Sequence, residues 1–599
     1  MVRAYATEHA MARSLGKPDE ALQPGRIDHP FNGMAYELRP IDEGGDDGKM
    51  LLKGTYPDGG TRIQQVVGRI GAGVYDRSWV TAETDVVTGE ITDRLYFAPV
   101  EHLTDADGKP RLTLSPFEQS RRFGGRTAGL DKPVTYGCIR CHSGTPVEQL
   151  PSAALAHGEV YPPHHLGADA FDVLEPLGCD ACHGDSRRHL ELMRDPATYQ
   201  KPLDDIGLVR LGDLDAGLQR DVCATCHLDG DVHLDLSAIA SDHGSMPLEW
   251  HEPNLRTRPE DPDAFRFVGQ VERLVESSCF QNAAVMTCNT CHDPHRGVAS
   301  QGSDSFNRAC LSCHGDENGS ETVTSCARPA SLRIQDVTGS EPRSAQGCVD
   351  CHVRRSSPHD LPGVVTADHK IRRNISPPSA VTYRKNTGLS GPIERITDGR
   401  LDDVYSSLDG RRRLAGIYAM AALEMKRSRQ EVADYLERYD RLSRESARQK
   451  NRNPKETAPP WAEDLEESVR FHRTRAQVAG FNSVGIESLQ RALDIAPENP
   501  EIRLALADMY LAQGKPQDAW AETERVLKSY PKADRAFALQ ASIAAALGRP
   551  DQIRQALENY VAIWPSDAGA WSYLAKLLED EGQTERAAEA RARAKALPK

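Results

Sequence analysis

The sequence predicts a multidomain chain: a small N-terminal β-meander, a loop-rich middle cored by cofactors, and a C-terminal all-α solenoid. Three observations carry this. Residues 31–120 hold β-rich runs between turn signals. The pattern Cys-x-x-Cys-His recurs six times between Cys138 and His352. Proline and glycine then return at 34-residue intervals toward the C-terminus.

The N-terminal segment spans 1–120. Residues 1–30 read as a short helix and a linker. MLLKGTY, RIQQVVGRIG, SWVTAETDVV and DRLYFAPVEHLT are rich in β-branched and aromatic residues, and PDGG, TGE and DADGKP separate them. A small antiparallel sheet is expected, covering the first cofactor or a docking face.

The middle, 121–375, carries Cys138-Cys141-His142, Cys179-Cys182-His183, Cys223-Cys226-His227, Cys288-Cys291-His292, Cys310-Cys313-His314 and Cys348-Cys351-His352. This is the attachment signature of c-type haem. The two thiols add across the porphyrin vinyl groups, and the His becomes the proximal ligand of iron. The 14 Cys and 20 His of 599 residues would give about 0.01 occurrences by composition alone. Zinc sites need two Cys pairs per metal and give no reason for a His after every second Cys. A disulfide scaffold leaves the same His unexplained. Six covalently attached haem c groups, with their iron, are the expectation. About 36 residues per motif cannot bury a conventional core, so the porphyrins would be the core of a hexahaem cytochrome c domain.

A net charge of −15 leaves no basic excess for nucleic acid. The hydrophobic fraction is 39% and the mean hydropathy −0.55, and no run of 18 apolar residues predicts a membrane span. Haem c is attached outside the cytoplasm. The start MVRAYATEHAMARSLGKPDE has no apolar run, so the expectation is a periplasmic or otherwise extracytoplasmic protein whose leader lies upstream of Met1.

Residues 376–462 read as a linker and a helical region, with three- and four-residue apolar spacing over 411–450. In 463–599, Pro497, Pro531 and Pro565 are 34 residues apart, as are Gly480, Gly514, Gly548 and Gly582. Ala519, Ile553 and Ala587 follow the same interval, and Trp571 and Leu574 hold signature positions. This is the tetratricopeptide period, in which Gly turns the first helix into the second and Pro ends the second. The units run 466–499 (degenerate), 500–533, 534–567 and 568–599. Such arrays offer a concave surface to proteins or peptides; the alternative is a structural spacer or dimerisation arm.

An iron with two axial His is a low-spin carrier, and one with an open position can bind substrate. His472 lies in the repeats and is set aside. His295 follows His292 by three residues and can reach only a neighbouring iron. His189 lies six residues after His183. His157, His164 and His165 fall between the first two motifs, His243 and His251 between the third and fourth, and His359 and His369 after the last. Any one alone could be an exposed or hydrogen-bonded His; so many among six irons favour distal ligation. His9, taken alone, reads as a surface residue. Met246 and Met286 rank behind the His. Cys279 and Cys326 are left over, either as a disulfide or as free thiols.

Three segments carry a family resemblance. CDACHGDSRRH resembles the CHGPG-x-x-H segment of multihaem cytochromes related to cytochrome c-554. ESSCFQNAAVMTCNTCHDPH resembles their SCF…MTC-x-TCHDPH segment, and CVDCHVRRSSPHDLPGVVTADHKIRR their closing motif with its TDH-x-I-x-R element. A multihaem domain followed by tetratricopeptide repeats resembles a bacterial class of such cytochromes. The resemblance implies bis-His haems in close pairs, electron transfer as the activity, and distal roles for His189, His295 and His369. TEHAMARSL resembles a segment that follows a haem motif in that class, which implies a truncated start, with room for a seventh motif, and makes His9 a distal candidate. Asp-Ser here stands where the family has Pro-Gly.

The leading functional expectation is an extracytoplasmic electron carrier between redox partner proteins, with the repeats docking a partner and no side chain acting as acid or base. The alternative is an oxidoreductase acting on hydroxylamine or a small nitrogen or sulfur oxyanion at an open haem. A third reading, a scaffold with sensing haems, fits poorly with the size of the haem region.

Overall fold

A computed structural model of the chain describes residues 9–30, 32–41, 49–72, 76–84, 91–104, 109–115, 130, 132, 134, 141–144, 154–156, 159–161, 174–184, 186–194, 207–228, 255–257, 263, 265–283, 285–314, 333–334, 343–344, 347–358, 364–372, 393–395, 406–452 and 469–597. The chain forms two compact units. One gathers 1–13, 177–431 and 438–462, the other 14–176, 432–437 and 463–599.

Within the second unit, β1 (Leu15–Gly16), β2 (Gly25–Asp28), β3 (Ala35–Pro40), β4 (Met50–Thr55), β5 (Thr61–Ile70), β6 (Asp76–Thr84), β7 (Ile91–Thr104) and β8 (Pro110–Leu114) form one eight-stranded sheet. From β2 to β8 each strand pairs antiparallel with the next, while β1 pairs with β5, Leu15 opposite Ile70. The period of two is plain in β5, where Arg62, Gln64, Val66, Gly68 and Ile70 are buried and the residues between them are half-buried. Register shifts at Val66/Gly68 and along β6–β7 add local twist. The sheet curls until Gly25 of β2 meets Leu112 of β8, whose Cδ2 would lie 2.8 Å from a Cβ at Gly25. Tyr36, Leu38, Leu52, Val66, Trp79 and Val100 fill the core.

That core also holds paired polar groups. Arg62 meets Glu83 at 3.3 Å with side chains only 4% and 1% exposed. Tyr96 donates to Glu83, Thr81 to the Gln64 side chain, and Gln64 to the Leu130 carbonyl. The sheet is larger than the meander expected from 31–120. Pairing starts at Leu15, inside the stretch read as helix and linker, where among the described residues Met11–Arg13 makes a short 3-10 turn. Strands of two and four residues are too short to register as alternation.

In the first unit the helices are short: α1 (Asp180–His183), α2 (Arg187–Arg194), α3 (Ala216–His227), α4 (Gln270–Val275), α5 (Ser278–Asn282), α6 (Val298–His314, kinked at Gly302) and α7 (Cys348–His352). A two-stranded ribbon, β9 (Arg355–Ser356) with β10 (Thr366–Ala367), follows α7. The helical region expected over 411–450 is a pair, α8 (Leu408–Glu424) and α9 (Arg429–Arg452). The Ser446 hydroxyl donates to Asp409 across them at 2.6 Å.

The repeats form four helix pairs: α10 (Val469–Ala479) with α11 (Ser483–Ile495), α12 (Pro500–Ala512) with α13 (Pro516–Ser529), α14 (Asp534–Ala546) with α15 (Pro550–Ile563), and α16 (Ala568–Asp580) with α17 (Thr584–Ala596). Gly480, Gly514, Gly548 and Gly582 turn each first helix into its second with φ of 78°, 72°, 66° and 78°, the left-handed geometry that glycine adopts without a Cβ clash. Neighbouring pairs share cores: Leu504, Ala507 and Val526 pack with Ala536 and Ile543 of the next pair.

Candidate metal centres

Each described motif compresses its residues into about one helical turn. Positions i, i+3 and i+4 lie on one helix face, so two thiols and an imidazole emerge together. Cys179 leads into α1, which ends at His183; Cys223–His227 closes α3, Cys310–His314 closes α6, and Cys348–His352 is α7. Cys288 opens a single 3-10 turn that ends before Cys291 and His292. In the first motif Cys141 and His142 are half-buried, and Cys138 lies outside the described residues.

Four imidazoles are oriented through Nδ1, which donates to the carbonyl of Val209 from His183 (2.7 Å), to Gln270 Oε1 from His227 (3.0 Å), to the Arg372 carbonyl from His352 (2.8 Å) and to the Ala367 carbonyl from His369 (3.1 Å). Gln270 presents its oxygen to His227 because its own amide nitrogen donates to the Phe267 carbonyl. A carbonyl partner fixes the proton on Nδ1 and leaves the Nε2 lone pair for a metal.

Two of the motif imidazoles lie close to a second imidazole. The rings of His183 and His295 have centroids 6.0 Å apart and planes within 4°. Those of His292 and His369 are 6.1 Å apart at 32°. Imidazoles on opposite sides of one metal, each bonded at about 2 Å with its ring centre ~1.2 Å further back, have centroids ~6.3 Å apart. His295 is turned into place by Asp293, whose carboxylate accepts from its backbone N–H at 3.0 Å. Burial, reinforced by the His292 imidazole, lowers His369 to about 4. Burial, then His227, pulls His292 below its usual value. Both rings are therefore neutral near pH 7, the form that can ligate.

The thiols also come together across motifs. The Cys223 and Cys288 side chains hydrogen-bond, which holds Cys288 low and pushes Cys223 up. Cys310 contacts Cys348 and, mainly through burial, is raised to about 11. Phe306 of α6 stands edge-on to His292 at 5.5 Å. A cavity of about 680 Å³ is walled by His183, His295, Cys291, His292, Arg210 and Arg308, within the range of about 300–1,000 Å³ typical of small-molecule and cofactor sites. Among the described residues no group of three or more Cys, His, Asp or Glu converges as a metal site built from side chains alone would require. A porphyrin iron needs only two axial protein ligands, and the paired imidazoles with adjacent thiols fit that group.

Of the other candidates, His189 is half-buried on α2 and His314 is exposed at the end of α6. His9 lies beside Asp293 and His295. Its Nδ1 accepts from the Met11 N–H, and its ring also bonds the Arg296 backbone. Cys279 sits near Cys291 and Cys313. His157, His164, His165, His243, His251, His359 and Cys326 lie outside the described residues, and with them one half of the Cys279–Cys326 disulfide reading. Sequence reasoning missed Gln270 at His227, Phe306 at His292, and the Arg273–Asp368 pair next to His369. Only Asp368 had a signal, its place directly before His369.

Residues 485–543 match the tetratricopeptide repeat family model. No curated protein matches the chain. Among solved structures, MamA AMB-1 is 18% identical, over 32% of this chain and 92% of that one, with a TM-score of 0.25. MamA MSR-1 is 18% identical over 33% and 95%, with a TM-score of 0.23. PilF of Pseudomonas aeruginosa is 14% identical over 32% and 79%, with a TM-score of 0.24. The chain thus carries tetratricopeptide repeats, a protein-docking module, in its C-terminal part, and no helix among the described residues is long and apolar enough to cross a membrane.

Proposed function

We propose that the protein is an extracytoplasmic multihaem c-type cytochrome, similar to the cytochrome c-554 group, that relays electrons between redox partner proteins docked with the help of its repeats. The observation that supports this most directly is the pair of facing imidazoles, His183 with His295 and His292 with His369, at the separation that a metal between them requires. The six Cys-x-x-Cys-His motifs would hold the cofactors, and each bound haem would supply a one-electron couple. The chain's own part is to fix ligands. Val209, Gln270, Arg372 and Ala367 hold the Nδ1 protons, so that Nε2 of each oriented ring is free to bind. Two His per iron would leave no open position, which would favour carriage over substrate chemistry at those two sites.

The test is production of the chain behind an added export leader in a host that matures c-type cytochromes. Pyridine haemochromogen and intact mass should give six covalent haems per chain, and the oxidised protein should show low-spin EPR signals for the His183 and His292 irons. Protein that carries zinc and no covalent haem would overturn the proposal.

A further inference from the structure

His369 sits in a short element held on both sides by one helix. The residue before it, Asp368, is fully buried, and its carboxylate takes a two-pronged ion pair from Arg273 at the end of α4, Nε to Oδ1 and Nη2 to Oδ2, each 2.8 Å. Arg372 adds a third contact at 2.9 Å, and the Lys370 N–H donates to the same carboxylate at 3.1 Å. The Asp368 N–H donates to the Arg354 carbonyl at 2.7 Å, which ties the element to β9. On the other side, Ser277, just beyond α4, donates through its hydroxyl to the His369 carbonyl at 3.0 Å and accepts from the Ile371 N–H at 2.9 Å. The backbone of His369 therefore cannot shift without breaking a contact to Arg273 or Ser277.

A buried ion pair is weak evidence for stability, because desolvation consumes most of its attraction. What it can give is one conformation, since a bidentate guanidinium–carboxylate contact is satisfied in a single geometry. Here that geometry holds a half-buried imidazole beside His292, with 6.1 Å between ring centres. The same helix begins at Gln270, which holds His227. One short helix thus governs imidazoles of two different centres.

We propose that Arg273 and Asp368 are positioning residues whose buried ion pair sets His369 as the second axial ligand of the iron bound by His292. The proposal rests on the haem reading above and goes beyond it, because it assigns residues that touch no cofactor a part in setting the coordination of one iron.

The experiment compares haem-loaded full-length wild type with Asp368→Asn, Arg273→Lys and His369→Gly, and with Glu83→Gln as a control that weakens a buried ion pair in the sheet. Haem content, EPR spin state, carbon monoxide uptake by the reduced protein and thermal midpoint are read together. In Asp368→Asn and Arg273→Lys, one iron per chain is expected to pass from low spin to high spin and one more carbon monoxide to bind. Added imidazole should restore the low-spin signal. Asp368→Asn should change nothing further in the His369→Gly background, and Glu83→Gln should lower the midpoint with no change of spin. Wild-type spin count and carbon monoxide stoichiometry in both positioning variants, whatever their thermal midpoints, would overturn this inference alone. A wild-type chain without covalent haem would overturn the underlying reading instead.

Discussion

The imidazole of His183 lies parallel to that of His295, with 6.0 Å between ring centres. His183 belongs to the second motif and His295 to the turn after the fourth, so the relationship joins two motifs. For the proposed cytochrome, His295→Gly should leave haem content unchanged, because attachment there would be through cysteine. It should turn one low-spin iron high-spin, and free imidazole should reverse the change. EPR of the oxidised protein with and without imidazole reads this directly.

Arg62 and Glu83 are paired inside the sheet, where water cannot rescue either partner alone. Glu83→Ala should cost about 3–5 kcal/mol, the usual consequence of stranding a buried charge. The double replacement Arg62→Met with Glu83→Leu should recover most of that loss. Urea denaturation followed by tryptophan fluorescence measures both.

His102 is nearly inaccessible and accepts from the Trp79 indole at 2.8 Å through Nδ1. Burial, with Arg77 adding to it, lowers its pKa from 6.5 to about 4. Above pH 6.5 neither folded nor unfolded chain carries this proton, so the residue adds no pH dependence. Between pH 6.5 and 4 the unfolded chain binds a proton that the folded chain refuses, so stability falls as pH falls and levels off below about 4. Thermal midpoints across that window should show the decline, and His102→Gln should flatten it.

Gly548 turns α14 into α15 at φ 66°, and a Cβ there would meet nothing within 4 Å. The cost of Gly548→Ala is therefore backbone strain alone, about 1–2 kcal/mol. Gly514, with φ 72° and the same open surroundings, should behave alike. Far-ultraviolet circular dichroism melts of the full chain would register the loss.

Features written within a few neighbouring residues were legible in the sequence. The 34-residue return of Gly480, Gly514, Gly548 and Gly582 fixed four helix pairs, because a left-handed turn needs glycine wherever it recurs. The motifs read as one-turn clusters because their spacing is that of a helix face. His295 and His369 were named as second ligands from a resemblance, yet the imidazole each would face was not legible. His183 and His292 reach them only through packing of distant segments. The Arg273–Asp368 pair left no trace for the same reason, since two charges far apart in sequence carry no sign that they will meet. Leu15 was lost to brevity, as a two-residue strand has no period to detect.

The hydrogen bond between Cys223 and Cys288 would bear on the proposed cytochrome before any haem were attached. Two thiols in contact need only surrender two electrons and two protons to an external oxidant to become a cystine. That bond would take one sulfur from the third motif and one from the fourth, disabling both at a stroke. Cys310 and Cys348 stand in the same relation for the fifth and sixth. For the proposed cytochrome, matured in an oxidising compartment, biogenesis would become a contest between reductant and oxidant, with two cofactors at stake for each mistaken bond.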